Sequence, residues 1–394
     1  MTNDEHISDP VKITQDLVRC PSVTPEEGGA LDYIEALLSK AGFTCTRLPF
    51  SEEGTPDVDN LYARIGTSAP HICFAGHTDV VPVGDLASWS HGPFDGKISD
   101  GKLYGRGTAD MKGGVACFLS AALKYIGDGN DLKQGSISFL TTGDEEGPAI
   151  NGTVKMLQWL QDNGEVPDHC IVGEPTNTDA LGDTIKIGRR GSLNGVLTVR
   201  GVQGHVAYQA LADNPIPGLL DILQGLIAEP LDKGTDFFAP SNLEITTVDV
   251  GNTATNVIPE KAVAKFNIRF NDAHTADSLT KHLRETAAEA LRKKSLIHEF
   301  RFAKSGDSFL TEPGQLSDIL QSAIRTHTGH TAELSTSGGT SDARFIKDYC
   351  PVLEFGLINR TIHQVNEHVD VEDLYALTSI YEDFLRDYFK VFNT

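Results

Sequence analysis

The chain reads as an α/β protein: a mixed, largely parallel sheet sandwiched by helices, interrupted by a smaller inserted α+β domain. Three observations carry this. Up to about residue 190, apolar strand-like runs alternate with amphipathic helical stretches. From 191 to 304 the order changes to strand-helix-strand-strand-helix-strand, which is that of a ferredoxin-like unit. Beyond 304 the first rhythm returns. The expected organisation is therefore a catalytic domain in two parts, 1–190 and 305–394, with a domain at 191–304 inserted in it. A surface loop tolerates such an insertion because its ends stay close together.

In order, 11–20 and 31–40 carry apolar residues at helical spacing, and 60–65 and 71–75 are strand-like. Helix 115–126, strand 136–142, helix 153–161 and strand 169–172 follow. The inserted part has strand 195–200, helix 217–228, strands 243–250 and 262–270, helix 276–292 and strand 297–302. Helix 315–327, a short strand at 351–355 and helix 371–389 close the chain.

The 394 residues suffice for two or three domains, and the formal net charge of −22 (33 Lys+Arg against 55 Asp+Glu) argues against nucleic-acid or anionic-membrane partners. An anionic substrate would need a local arginine cluster to overcome that field. Six scattered cysteines without a C-x-x-C read as buried reduced thiols. The acidic start, Met1-Thr2-Asn3-Asp4-Glu5, has no signal-peptide character, and no apolar run reaches membrane-spanning length. A cytoplasmic location is expected.

Chemistry concentrates in glycine-flanked loops. Gly76-His77-Thr78-Asp79-Val80-Val81-Pro82 follows the apolar run 72–75, so His77 and Asp79 are expected to face one spot at a strand end. Asp79 is the candidate to hold the second ring nitrogen of His77. A local hydrogen-bonded pair is the plainer alternative. Asp110 lies in the glycine-rich turn 105–114, where a helix cap is the competing role. Asp144-Glu145-Glu146 ends a strand, and three adjacent acids repel unless a cation sits among them; a solvated acidic turn is the other reading. Glu174 follows another apolar strand, and His363 sits in the polar loop 359–367. Two histidines and several carboxylates on strand-end loops suit a pair of divalent ions, zinc foremost. The signatures of a serine-hydrolase elbow, a Walker loop, a zincin helix and a dinucleotide turn are missing.

The set GHTDVVP, GRGTADMKGG, TGDEEG, GEPT and late His363, with GRRGSLNG, VQGHVAY, NVIPEKA, SGGTSDARF and FGLINRTIHQVNE, resembles the M20 family of di-zinc peptidases and deacylases over essentially the whole chain. The resemblance implies two Zn²⁺ per subunit, with Co²⁺ able to substitute in one site. His77 and Glu174 would bind one ion, Glu146 and His363 the other, and Asp110 would bridge them. Asp79 would orient His77, Glu145 would be the general base, and the Asp110–Met111 peptide would be cis. His205 would stabilise the oxyanion from a partner subunit, in a homodimer formed through the inserted domain, which would also act as a lid. Arg190, Tyr208, Asn256, Arg269, Gly339, Thr340, Ser341, Arg344 and Asn359 would line the substrate cleft, while Met111 and Phe345 read as core. The implied activity is hydrolysis of N-succinyl-LL-2,6-diaminopimelate to succinate and LL-2,6-diaminopimelate. Deacylation of acetylornithine or another N-acyl amino acid is the alternative.

Overall fold

Strands His71–His77 and Ser136–Thr142 form the centre of an eight-stranded sheet, and nearly all their residues are buried. Neither strand alternates in burial, so helices cover both faces at this point. The computed structural model describes residues 8–130, 132 and 134–392. Among these, the sheet runs Thr44–Arg47, Leu61–Gly66, Ser136–Thr142, His71–His77, His169–Val172, Val352–Glu354, Thr184–Lys186, Glu333–Ser335. Four of the seven pairings are parallel, including those of His71–His77 with both its neighbours. The sheet is thus mixed and mostly parallel, as predicted.

Helix Pro10–Val18 starts where the sequence dictates. Asp9 accepts the Val11 N–H at 3.0 Å, and Pro10 sits at the first turn, where its missing N–H costs nothing. Gly113–Gly127 packs against this helix and against Val371–Phe392. Phe74 of the sheet stacks on Phe118 with ring centroids 4.4 Å apart, and Tyr381 closes the cluster edge-on at 5.2 Å from Phe118.

Two compact units divide the described chain. The second comprises Gly188–Leu310 and Thr336–Thr340; the first holds the rest. These edges differ from the expected 191 and 304 for a local reason. Gly188–Arg189 pairs antiparallel with Phe309–Leu310, which carries both segments into the second unit. Segment 336–340 joins it through Thr336, whose hydroxyl donates to Phe237 O at 2.6 Å, and through Gly339, whose carbonyl accepts from Arg189 at 3.0 Å.

The second unit has a four-stranded antiparallel sheet in the order Asn242–Asp249, Lys261–Phe270, Gly191–Arg200, Ile297–Gly306. Counting its strands along the chain, the order is two, three, one, four, the ferredoxin-like arrangement. Ala262, Ala264, Phe266, Ile268 and Phe270 are buried at period two, against Leu219, Ile222, Leu226, Leu279 and Leu283 of the two helices.

Sequence reading overlooked the strands Thr44–Arg47, Lys97–Ser99, Lys102–Tyr104, Thr184–Lys186 and Glu333–Ser335. Each has three or four residues of mixed polarity, too short for a period to show.

His71, the first residue of its strand, is 3% exposed, and its Nε2 lies 2.7 Å from Ser138 Oγ. Burial first, and the nearby Arg64 charge second, push its pKa down from 6.5 to about 4. A lowered folded-state value means that the neutral ring's contribution is complete above pH 6.5 and is lost as pH falls toward 4. Between pH 7 and 5 this removes roughly 2 kcal/mol of stability. Denaturant unfolding at the two pH values should therefore show His71→Gln losing about 2 kcal/mol less than the unmodified chain; equal losses would contradict the assignment.

Candidate metal centre

Three parallel neighbours in the sheet, Ser136–Thr142, His71–His77 and His169–Val172, end at one edge. That edge is where open α/β sheets gather functional groups. His77 is the last residue of its strand, Glu145 and Glu146 come three and four residues after theirs, and Glu174 two after its own. Asp110 reaches the same place from the turn before helix Gly113–Gly127, and His363 from the loop before the last helix.

Asp110 sits between the two imidazoles. Its Oδ1 is 3.1 Å from His77 Nε2, and its Oδ2 is 3.3 Å from His363 Nε2. Glu174 Oε1 lies 3.9 Å from His77 Nε2, and Glu146 Oε1 lies 2.8 Å from His363 Nε2. Each of the sets His77–Asp110–Glu174, Asp110–Glu146–His363 and His77–Glu145–Glu146 offers one donor atom per residue within 4.8 Å of one another. All six predicted ligand and base residues thus converge. The Asp110–Met111 peptide is cis.

Electrostatics of the chain alone follow from this crowding. Burial opposes charge on His77, but the hydrogen bond with Asp110 and the Asp79 and Glu174 charges outweigh it and raise its pKa well above the usual value. His363 rises to about 10 through its bonds with Asp110 and Glu146. Burial, set against both histidines, still leaves Asp110 well below the usual carboxylate range. Glu145 rises to about 8, chiefly by burial and then by the Asp342, Glu146 and Asp110 charges, which His77 only partly offsets. Glu174 is raised well above its usual value by burial first and by Asp110 and Glu145 next. Nitrogen and oxygen donors this close, with more carboxylates than the imidazoles balance, form a set that fits divalent cations.

Asp79 meets the second ring nitrogen of His77 through its backbone rather than through its carboxylate. The strand ends at His77, so Asp79 does not share its strand face. The Asp79 backbone carbonyl meets His77 Nδ1 at 2.8 Å, while its carboxylate stays 3.6 Å away. That carboxylate accepts the N–H groups of Glu145 at 3.2 Å and Glu146 at 3.0 Å instead. It fixes the acidic turn as well as facing the imidazole.

The other predicted residues fall into the two units. In the first, Ser341 and Asp342 are buried and Arg344 is half-buried over the Phe345 ring, 4.5 Å from its centroid. Ser341 Oγ, Asp342 Oδ1 and Arg344 Nε make no hydrogen bond among the described residues. Asn359 is held through its N–H to Asn177 O at 2.9 Å. Met111 is fully buried, as core, whereas Phe345 is half-buried beneath Arg344 and is a correction to the core reading.

In the second unit, Arg190 donates to Asn242 at 3.0 Å, and its charge lowers the pKa of Arg269 after burial. Neither arginine makes an ion pair among the described residues. Gly339 and Thr340 belong to this unit, as do the exposed His205, Tyr208 and Asn256. The His205 and Tyr208 rings lie 5.5 Å apart.

Sequence reasoning missed Arg106 and Glu367, which are buried and paired at 2.8 Å next to the centre. The signal available was a glutamate four residues after His363 in an otherwise polar loop.

Among known sequences, a protein of Rhodospirillum centenum named succinyl-diaminopimelate desuccinylase is 57% identical over 97% of both chains. One of Rhodopseudomonas palustris with the same name is 58% identical over 97% of this chain and 98% of its own. Among solved structures, a tripeptidase from Staphylococcus aureus has a TM-score of 0.77 at 19% identity, over 97% of this chain and 98% of that one. A Bacillus subtilis protein described as a dinuclear metal binding peptidase from the M20 family has a TM-score of 0.74 at 18% identity, over 98% and 99%. The description of peptidase family M20/M25/M40 matches residues 73–387. With the fold, the strand-end histidine and acids, and these matches in agreement, the chain belongs to peptidase family M20/M25/M40.

Proposed function

We propose that this chain hydrolyses N-succinyl-LL-2,6-diaminopimelate to succinate and LL-2,6-diaminopimelate at a two-cation centre, by the reaction for which its relatives are named. The observation that carries the two-cation part is Asp110, which turns one carboxylate oxygen to each histidine. His77 and Glu174 would hold one ion, His363 and Glu146 the other, with Asp110 shared. Zinc is the first choice for both, with cobalt able to take one position. When bound, such ions polarise a scissile carbonyl and lower the pKa of a water toward neutrality.

Glu145 is left for proton transfer. It lies beside Glu146 but makes no hydrogen bond through its carboxylate among the described residues. A carboxylate not committed to another partner can take a proton from the attacking water and return it to the leaving amine. Asp79 holds the backbone from which Glu145 projects.

The substrate's charges call for cations and hydrogen-bond donors. Arg190 and Arg269 carry two positive charges near each other with no carboxylate of the described chain paired to them, which suits a carboxylate ligand. The unpaired polar atoms of Ser341 and Arg344 are buried groups that a polar ligand would satisfy. Tyr208, Asn256, Gly339, Thr340 and Asn359 are assigned to the same role by family resemblance.

We also assign a homodimer built through the second unit. The exposed apolar residues Val206, Tyr208 and Leu211 (41%, 64% and 77% exposed) lie beside His205 and form a surface that a second copy could cover. His205 would then serve the partner's site.

Three outcomes test this reading. Glu145→Ala should keep both cations in calorimetric titration and lower succinate release by about 10²–10⁴-fold, while Glu146→Ala should weaken cation uptake. Loss of cations from Glu145→Ala, with Glu146→Ala keeping them and losing turnover, would reverse the two roles. A chelator should abolish succinate release and zinc restore it, with the succinylated substrate preferred over acetylornithine in kcat/KM; the opposite preference selects the sister deacylase. Sedimentation should give a dimer, and a fully active monomer would remove the role of His205.

A further inference from the structure

The two halves of the centre are supported differently. His77 and Glu174 stand at the ends of adjacent sheet strands. Asp110 and His363 stand on loops, and the His363 side chain is 48% exposed. Something other than the sheet must set the distance between those two loops.

Glu367 occupies that position. It is fully buried, and four donors converge on its carboxylate: Arg106 Nη1 at 2.8 Å and Gly107 N–H at 3.0 Å on Oε2, Ala109 N–H at 2.9 Å and Asp110 N–H at 3.1 Å on Oε1. Its own carbonyl accepts the Gly105 N–H at 2.9 Å. The Asp110 turn is thus strung along a single side chain, four residues from His363. Arg106 extends the tie. Its guanidinium donates to Gln364 O at 3.2 Å, His363 O at 3.5 Å and Pro82 O at 3.4 Å, and lies 5.4 Å over the Trp89 ring. Gly107 permits the arrangement: its φ is +84°, and an added Cβ would meet Val80 Cγ1 at 2.6 Å. The Arg106–Glu367 pair therefore joins three loops, those bearing His77–Asp79, Asp110 and His363.

We propose that Glu367, with Arg106, is a positioning residue that fixes the separation of Asp110 and His363 and so governs the cation held by Asp110, Glu146 and His363. This inference rests on the two-cation reading above. The sheet-supported cation of His77 and Glu174 depends on it less. Residues that orient metal ligands without touching the metal typically set 10–100-fold in metal affinity.

Calorimetric zinc titration of the metal-free full chain tests this, with succinate release measured alongside. Glu367→Gln introduces an amide donor where all four facing groups donate, so at least one bond must fail. Glu367→Asp keeps the charge beside Arg106 but falls one methylene short of the N–H groups, so a folded variant remains if the first is unstable. The expected result is two zinc ions per unmodified chain, and a second ion bound at least tenfold more weakly in a variant, with the first ion's affinity changed much less. Two ions of unchanged affinity in a folded variant would overturn the clamp alone, as would equal weakening of both. Fewer than two ions in the unmodified chain would overturn the two-cation reading and the clamp with it.

Discussion

The arrangement of the first unit depends on gathering more negative charge than its own side chains neutralise. Asp79, Asp110, Glu145, Glu146 and Glu174 meet two imidazoles, one of them, His77, buried with Asp79, Asp110 and Glu174, the other, His363, open to water. In the chain without cations, burial raises the proton affinity of Glu145 and Glu174, and the surrounding carboxylates raise that of both histidines. A protein does not hold such a cluster for stability, because buried like charges repel and desolvation is costly. The cluster persists because the backbone enforces it: strand ends supply four of the groups, and the sheet cannot relax to part them.

The fold was legible wherever long periodic elements occur. The strands at 136–142 and 262–270 and the helices around 115–126 and 371–389 lie where apolar spacing puts them. The metal-centre residues were legible for a different reason. His77, Glu145, Glu146 and Glu174 stand at or shortly after the ends of apolar runs, where packing explains neither an acid nor an imidazole, while Asp110 and His363 lie in glycine-rich and polar loops. Asp79 shows the limit of such reasoning. Period-two logic put its carboxylate on the face of His77, yet the strand stops at His77 and the backbone carbonyl takes the close contact. The end of a strand is set by hydrogen bonding to neighbours distant in sequence, which spacing alone does not reveal. Glu367 was illegible for the same reason: its four donors lie some 260 residues upstream.

The unit boundary illustrates how short contacts override pattern. Gly339 and Thr340 are adjacent in sequence to Ser341, but the Arg189 bond to Gly339 O and the Thr336 bond to Phe237 O place them in the second unit. No change of composition marks that point. The glycine-rich stretch instead supplies a backbone able to pass from one unit to the other.

Two consecutive glutamates can hold separate roles because their environments, not their chemistry, differ. Asp79 accepts both of their N–H groups, so the backbone of the pair is held from one side. From that common base the Glu146 carboxylate reaches His363 at 2.8 Å, and its charge is answered by an imidazole. For Glu145, burial first and then the Asp342, Glu146 and Asp110 charges outweigh the lowering by His77, so its proton affinity climbs. The Glu146 carboxylate is thus engaged with His363 while the Glu145 carboxylate makes no hydrogen bond among the described residues, and that difference is what the two proposed roles rest on.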